Sequence, residues 1–133
     1  MNEFFADLFN FAAYFASGII ATTVFIFVYS FITPYKEIAL IKEKNQAAAI
    51  AFAGSLLGFV IAISSLIENA VNLIDFAMWS VVAILVQLLA YGGVRLLFPL
   101  IADRIRNNET PAAIWLAACS IGAGLLNAAS MTY

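Results

Sequence analysis

The stretch Ala48 to Gly58, Ala-Ala-Ile-Ala-Phe-Ala-Gly-Ser-Leu-Leu-Gly, returns 64 positions later as Ala112 to Gly122, Ala-Ala-Ile-Trp-Leu-Ala-Ala-Cys-Ser-Ile-Gly. Ala48, Ala49, Ile50, Ala53 and Gly58 recur as Ala112, Ala113, Ile114, Ala117 and Gly122, while Gly54 and Ser55 give way to the equally small Ala118 and Cys119. Upstream the spacing becomes 65, where Ile32-Thr33-Pro34 aligns with Leu97-Phe98-Pro99, and one length change in the intervening loop accounts for the difference. Each copy reads as an apolar helix, a Pro-led charged loop and a second apolar helix. Self-similarity at a fixed period outranks local propensity as a guide to architecture. The expectation is one membrane domain over residues 1–133, with repeat 1 at about 8–67 and repeat 2 at about 76–133.

Hydrophobic residues make up 65% of the chain and charged ones 11%, outside the range of soluble globular domains. The charges cluster and leave four uncharged runs: 8–35, 45–67, 76–94 and 110–133. A helix rising about 1.5 Å per residue needs roughly 20 residues to cross a hydrocarbon core of about 30 Å. Every run meets or nearly meets that length. Strands of an outer-membrane barrel would alternate polar and apolar positions, whereas these runs are apolar on all sides. The fold class is therefore all-α: a polytopic membrane protein whose four transmembrane helices form two tandem, parallel-repeat hairpins. The first run is expected to remain in the mature chain, because Glu3 and Asp7 precede it instead of Lys or Arg and its apolar stretch is too long for a signal peptide.

Loop charge sets the orientation. Lys36, Lys42 and Lys44 follow the first helix, and Arg95, Arg104 and Arg106 follow the third, so all six basic residues share one side. The other side holds Glu3, Asp7, Glu68 and Asp75 and no cation. The positive-inside rule then puts both termini on the extracytoplasmic, periplasmic side. Tyr29, Tyr35, Trp79 and Trp115 lie near the span ends and are expected to act as headgroup anchors. Ile38 and Ile41, interleaved with Lys36, Glu37, Lys42, Glu43 and Lys44, suit a short interfacial helix between Pro34 and Asn45.

Small and polar residues at membrane depth carry the remaining information. On the second helix Ala47, Ala51, Gly54, Gly58, Ala62 and Ser65 recur at steps of three and four, forming one smooth stripe with a G-x-x-x-G at Gly54 and Gly58. Ala118 and Gly122 are expected to repeat that packing pair on the fourth helix. Lipid tails are as apolar as Leu, so bilayer helices associate through close packing, and small residues allow the closest approach. Gln87, Tyr91 and Arg95, spaced by four, share a face of the third helix, continued outward by Ala83 and Ser80. Ser120, Gly124 and Asn127 form a polar line on the fourth. An unpaired amide in hydrocarbon costs several kcal/mol, so Gln87 and Asn127 are expected to face protein or water, with interhelical hydrogen bonding as their first role. Arg95 can snorkel to the headgroups.

One cysteine and no histidine leave no internal disulfide, no histidine metal site and no Ser-His or Cys-His catalysis. Cys119, set among small helical neighbours, is a packing residue. Carboxylates lie only in loops or near helix ends, and no motif suggests a catalytic, cofactor-binding or metal site; an enzyme is not expected.

Tyr29-Ser30-Phe31-Ile32-Thr33-Pro34, Leu40-Ile41-Lys42 with Asn45, Ala51-Phe52-Ala53-Gly54-Ser55-Leu56-Leu57-Gly58, Gln87-Leu88-Leu89, Gly93-Val94-Arg95-Leu96 with Pro99, and Asn127-Ala128-Ala129-Ser130-Met131-Thr132 together resemble the bacterial YjfL family of small inner-membrane proteins. The resemblance implies a four-helix inner-membrane protein of uncharacterised activity and lends no catalytic or binding residues. Two functional expectations follow. The first is a non-enzymatic helical module that self-associates as a structural or adaptor subunit, for example in envelope maintenance, with the lipid bilayer, further copies of itself and a cytoplasmic or membrane protein as partners, and no nucleic acid. The second is an oligomeric ion or small-solute channel or transporter lined by Gln87, Tyr91 and Asn127.

Overall fold

Six helices follow one another along the chain: α1 (Asn2–Ile32), α2 (Glu37–Lys42), α3 (Gln46–Asn69), α4 (Leu73–Leu97), α5 (Ile101–Arg106) and α6 (Thr110–Ser130). The computed structural model describes residues 1–131, so Thr132, the last position of the resembling segment, lies outside the described residues, as does Tyr133. Among the described residues there is no strand. The chain is an all-helical membrane protein in which α1, α3, α4 and α6 are each long and apolar enough to span a bilayer.

Local chemistry explains the boundaries. Proline lacks an amide donor and disfavours helical geometry in the residue before it. Accordingly α1 stops at Ile32 ahead of Pro34, and α4 at Leu97 ahead of Pro99. Pro111 sits in the first turn of α6, where a missing N–H costs nothing. Asn45 and Asn72 cap α3 and α4, their side-chain oxygens each accepting a backbone N–H, from Ala48 and Asp75, at 2.8 Å. Lys44 and Asn108, at φ 64° and 61°, turn the chain out of α2 and α5 into the next long helix.

Helix α1 begins at Asn2, ahead of the uncharged run that starts at residue 8, and its 31 residues exceed a bilayer core. At about 1.5 Å per residue it is roughly 46 Å long, about three turns more than a 30 Å hydrocarbon layer accommodates upright. Phe9, Phe27 and Phe31 are among its many exposed side chains. An all-round apolar helix of this kind treats lipid as its solvent.

The closest pair is α3 with α6, by a wide margin. Contacts climb the two helices together: Ala47 with Asn108, Gly54 with Ala117, Ser55 with Ser120, Gly58 with Gly124 and Ser65 with Ala128. They are therefore parallel. Helix α4 lies against both, and α1 joins through an aromatic stack in which Phe25 and Phe59 sit 4.4 Å apart with nearly parallel rings. The three-residue connection between α3 and α4 makes them neighbours, as its shortness requires, but not the tightest ones.

Two expectations are corrected here. Tyr29 and Tyr35 are not headgroup anchors: they are 0% and 2% exposed, inside the bundle. Glu37, expected among the polar residues of a short interfacial helix, is 1% exposed. Tyr29 lies on the buried face of α1 with Phe25, while the positions beyond it follow from the turn at Pro34. After Pro34 the chain folds inward so that α2 packs against α3, which drives residues 33, 35 and 37 into the interior while Ile38 and Ile41 stay outside.

Candidate functional site

Buried polar side chains recur along the centre of this otherwise apolar bundle, in short hydrogen-bonded groups. They start at the end that carries α2 and α5. There the Thr33 hydroxyl, which also lies 3.1 Å from the Tyr29 carbonyl oxygen, meets one carboxyl oxygen of Glu37. Three tyrosines lie in its neighbourhood: Tyr29 from α1, Tyr35 from the connection to α2, and Tyr91 from α4, whose ring meets that of Tyr29 edge-on at 5.9 Å. Toward mid-membrane the Ser55 hydroxyl lies 2.8 Å from that of Tyr29 and 3.3 Å from that of Ser120. Gln87 donates through Nε2 to the Ser120 carbonyl oxygen at 3.0 Å, and Asn127 lies further along α6.

Several buried polar atoms make no hydrogen bond of good geometry among the described residues: the second oxygen of Glu37, the hydroxyls of Ser30, Tyr35 and Tyr91, Gln87 Oε1 and Asn127 Nδ2, with Glu37 the neighbour of Ser30, Tyr29 that of Tyr35 and Arg95 that of Tyr91. Buried polar atoms are normally paired, and each orphan costs about 1–3 kcal/mol. Their concentration along one axis sets this region apart from ordinary helix packing. Outside the spans, burial pushes the Glu37 carboxyl above its ordinary value of 4.5, against the lowering effect of the Thr33 hydrogen bond. Burial likewise raises the Tyr35 phenol, reinforced by Tyr29.

Close helix contact is what brings these groups together. A Cβ on Gly54 would fall 2.4 Å from Ala117 Cα, and one on Gly58 would fall 2.3 Å from the Ser120 carbonyl oxygen and 2.7 Å from Gln87 Nε2. Gly54 and Gly58 are thus spent on the α3–α6 contact within the chain. The partner surface on α6 is formed by Ala117, Ser120 and Gly124, and the small pair Ala118 and Gly122 lies off it. Ala118 is exposed, and a Cβ at Gly122 would meet nothing within 4 Å. The reason is angular: successive helix residues are about 100° apart, so Ala118, one residue past Ala117, and Gly122, two residues from both Ser120 and Gly124, point away from the interface.

Gln87 and Tyr91 stand where their spacing puts them, on the buried face of α4 with Ser80 and Ala83. Asn127 is buried on α6 beside Ser120 and Gly124. Arg95 lies exposed at the end of α4, outside these buried groups. The sequence reading missed Tyr29, Thr33, Tyr35, Glu37 and Ser55. One signal was available: Phe25, Tyr29, Thr33 and Glu37 are spaced by four, so the face of α1 is prolonged across Pro34 to the carboxyl.

The matching family is the Domain of Unknown Function DUF350, over residues 3–131. The UPF0719 inner membrane protein YjfL of Escherichia coli strain K12 is 43% identical over 127 residues, covering 96% of this chain and 96% of that protein. The UPF0719 transmembrane protein YshE of Bacillus subtilis strain 168 is 25% identical over 134 residues, covering 98% of this chain and all of that protein. No solved structure matches the chain. With an all-helical bundle of four bilayer-length helices and a family match across almost its whole length, the chain belongs to the DUF350 family of YjfL-type membrane proteins.

Proposed function

We propose that this protein is a non-enzymatic helical module of the bacterial inner membrane that self-associates and serves as a structural or adaptor subunit of the envelope. The location is supported by the name of the Escherichia coli relative, and termini on the periplasmic side by the six cations gathered at the α2 and α5 end. The observation that carries self-association is the free small surface on α6. Ala118 is exposed and Gly122 has open space around it, so these two residues offer a second copy the close approach that the chain itself does not use. A duplicated origin is supported by the six-residue α2 and α5, by the left-handed residues Lys44 and Asn108, and by long helices that begin at Gln46 and Thr110.

The test is the mass of the detergent-solubilised full chain with and without Gly122→Ile. A multimer that falls to a monomer of unchanged thermal stability is expected. A strictly monomeric parent, or a variant that keeps its mass, defeats the reading. The second reading, a channel or carrier, is favoured by the orphaned Gln87 Oε1 and Asn127 Nδ2. Vesicles reconstituted with the protein that pass no ion or solute faster than empty ones dispose of it.

A further inference from the structure

We propose that Glu37 and the hydroxyls around it form a proton-binding site at the α2 end of the bundle, which holds α2 seated while the carboxyl is neutral and releases it when the carboxyl ionises. The geometry has four parts. Glu37 is 1% exposed, yet it belongs to a six-residue helix whose Ile38 and Ile41 are exposed. One oxygen takes the Thr33 hydroxyl, while the other makes no hydrogen bond of good geometry, the Ser30 hydroxyl and the backbone N–H of Glu37 being its nearest donors. No cation is paired with it: among the described residues the one ion pair is Arg106 with Asp103, both substantially exposed. Around it stand hydroxyls, with Ser30 close by and the Tyr35 and Tyr91 hydroxyls without a hydrogen bond of good geometry.

Helix α3, against which α2 packs, carries only one ionisable residue, Glu68, at its opposite end. Helix α1 presents Tyr29, the connection presents Tyr35, and α4 presents Tyr91. The nearby cations Arg95 and Arg106 bear on Tyr91, and Arg106 spends one guanidinium nitrogen on the Pro34 carbonyl oxygen at 3.1 Å. A buried carboxylate with neither counter-ion nor a full set of donors is strongly disfavoured, and such a group takes up a proton instead. A neutral carboxyl also gains an O–H donor, which the unsatisfied hydroxyl oxygens beside it can accept.

Because the seated carboxyl titrates above the ordinary 4.5, the seated state holds its proton over a pH range in which an unseated Glu37 has lost it. Seating is therefore fully supported below 4.5 and weakens as pH rises through the higher, seated value. Ligand and movement are linked by that difference alone.

The experiment uses the full chain in lipid vesicles. Infrared spectroscopy follows the protonated-carboxyl band against pH in sodium, potassium and choline salts. A band that titrates above 4.5, is lost in Glu37→Gln and has the same midpoint in all three salts is expected. Thr33→Val, which removes the hydrogen bond to the ionised form, is expected to move the midpoint further up, a shift that a purely structural role does not produce; it serves also if Glu37→Gln fails to fold. About one pH unit above the midpoint, the amides of α2 are expected to exchange about ten-fold faster in the parent than in Glu37→Gln at the same pH. A carboxyl ionised throughout, or equal exchange in parent and variant, overturns the proposal. A midpoint that drops in sodium alone also overturns it, by making the site one for a metal cation.

Discussion

Gly124 faces Gly58 so closely that a Cβ on Gly124 would stand 2.1 Å from the Gly58 carbonyl oxygen, with no flexible side chain between the two backbones to give way. Only hydrogen at both positions lets α3 and α6 run side by side, and every polar contact between them depends on that spacing.

Gly58→Ala and Gly124→Ala are each expected to destabilise the protein by about 1–3 kcal/mol or more, since the added methyl forces two helices apart. Gly122→Ala, with open space around it, is expected to be neutral or to gain part of the roughly 0.8–1 kcal/mol by which Ala exceeds Gly in helices. Unfolding in mixed micelles compares the three. A loss at position 122 equal to that at 124 would show that the wrong face has been assigned.

Asn45 ties the start of α3 to the end of α5. Its oxygen caps α3, and its Nδ2 donates to the carbonyl oxygens of Ile105 and Arg106 at 3.2 and 3.1 Å. Asn45→Asp keeps the cap but loses both donors and sets a carboxylate against two carbonyl groups. It is expected to cost more than Asn45→Ala, whose penalty from the lost cap is about 1 kcal/mol plus the two lost bonds. The same unfolding measurement ranks them, and the reverse order would show that the cap is the only role of Asn45.

Gln87 makes one hydrogen bond to α6 and leaves one oxygen unpaired. Removing both together in Gln87→Leu is expected to change stability by less than about 1 kcal/mol, because interhelical hydrogen bonds in membranes average about 0.6 kcal/mol and the orphan disappears with them. Gln87→Glu, which presents an acceptor to the Ser120 carbonyl oxygen, is expected to cost several kcal/mol. Equal effects from the two variants would mean that water, not Ser120, faces this side chain.

Tyr35 is buried with its hydroxyl making no hydrogen bond of good geometry, so Tyr35→Phe removes a desolvated group without opening a cavity. It is expected to leave thermal stability unchanged or raised by up to about 1 kcal/mol. A clear loss would reveal a hydrogen bond to Tyr35 in the membrane-embedded protein. The variant also strips one hydroxyl from the surroundings of Glu37, so its infrared band reports whether Tyr35 takes part in holding the proton.

What the sequence determined by itself was the number and placement of the long helices, the two Pro-led breaks, the buried faces that hold Gln87, Tyr91 and Asn127, and the stripe through Gly54 and Gly58. These follow from properties local to one helix: length against bilayer thickness, the three-and-four periodicity of small residues, and the missing amide of proline. Tertiary structure alone decided which helix that stripe meets, that Gly124 and not Gly122 answers it, and that Tyr29, Tyr35 and Glu37 turn inward. A helix periodicity defines a face but not its neighbour, and a charged residue in a short loop reads as solvated until the chain around it is seen to fold under the bundle. Where a partner approaches depends on contacts between residues far apart in the chain, which no single segment encodes.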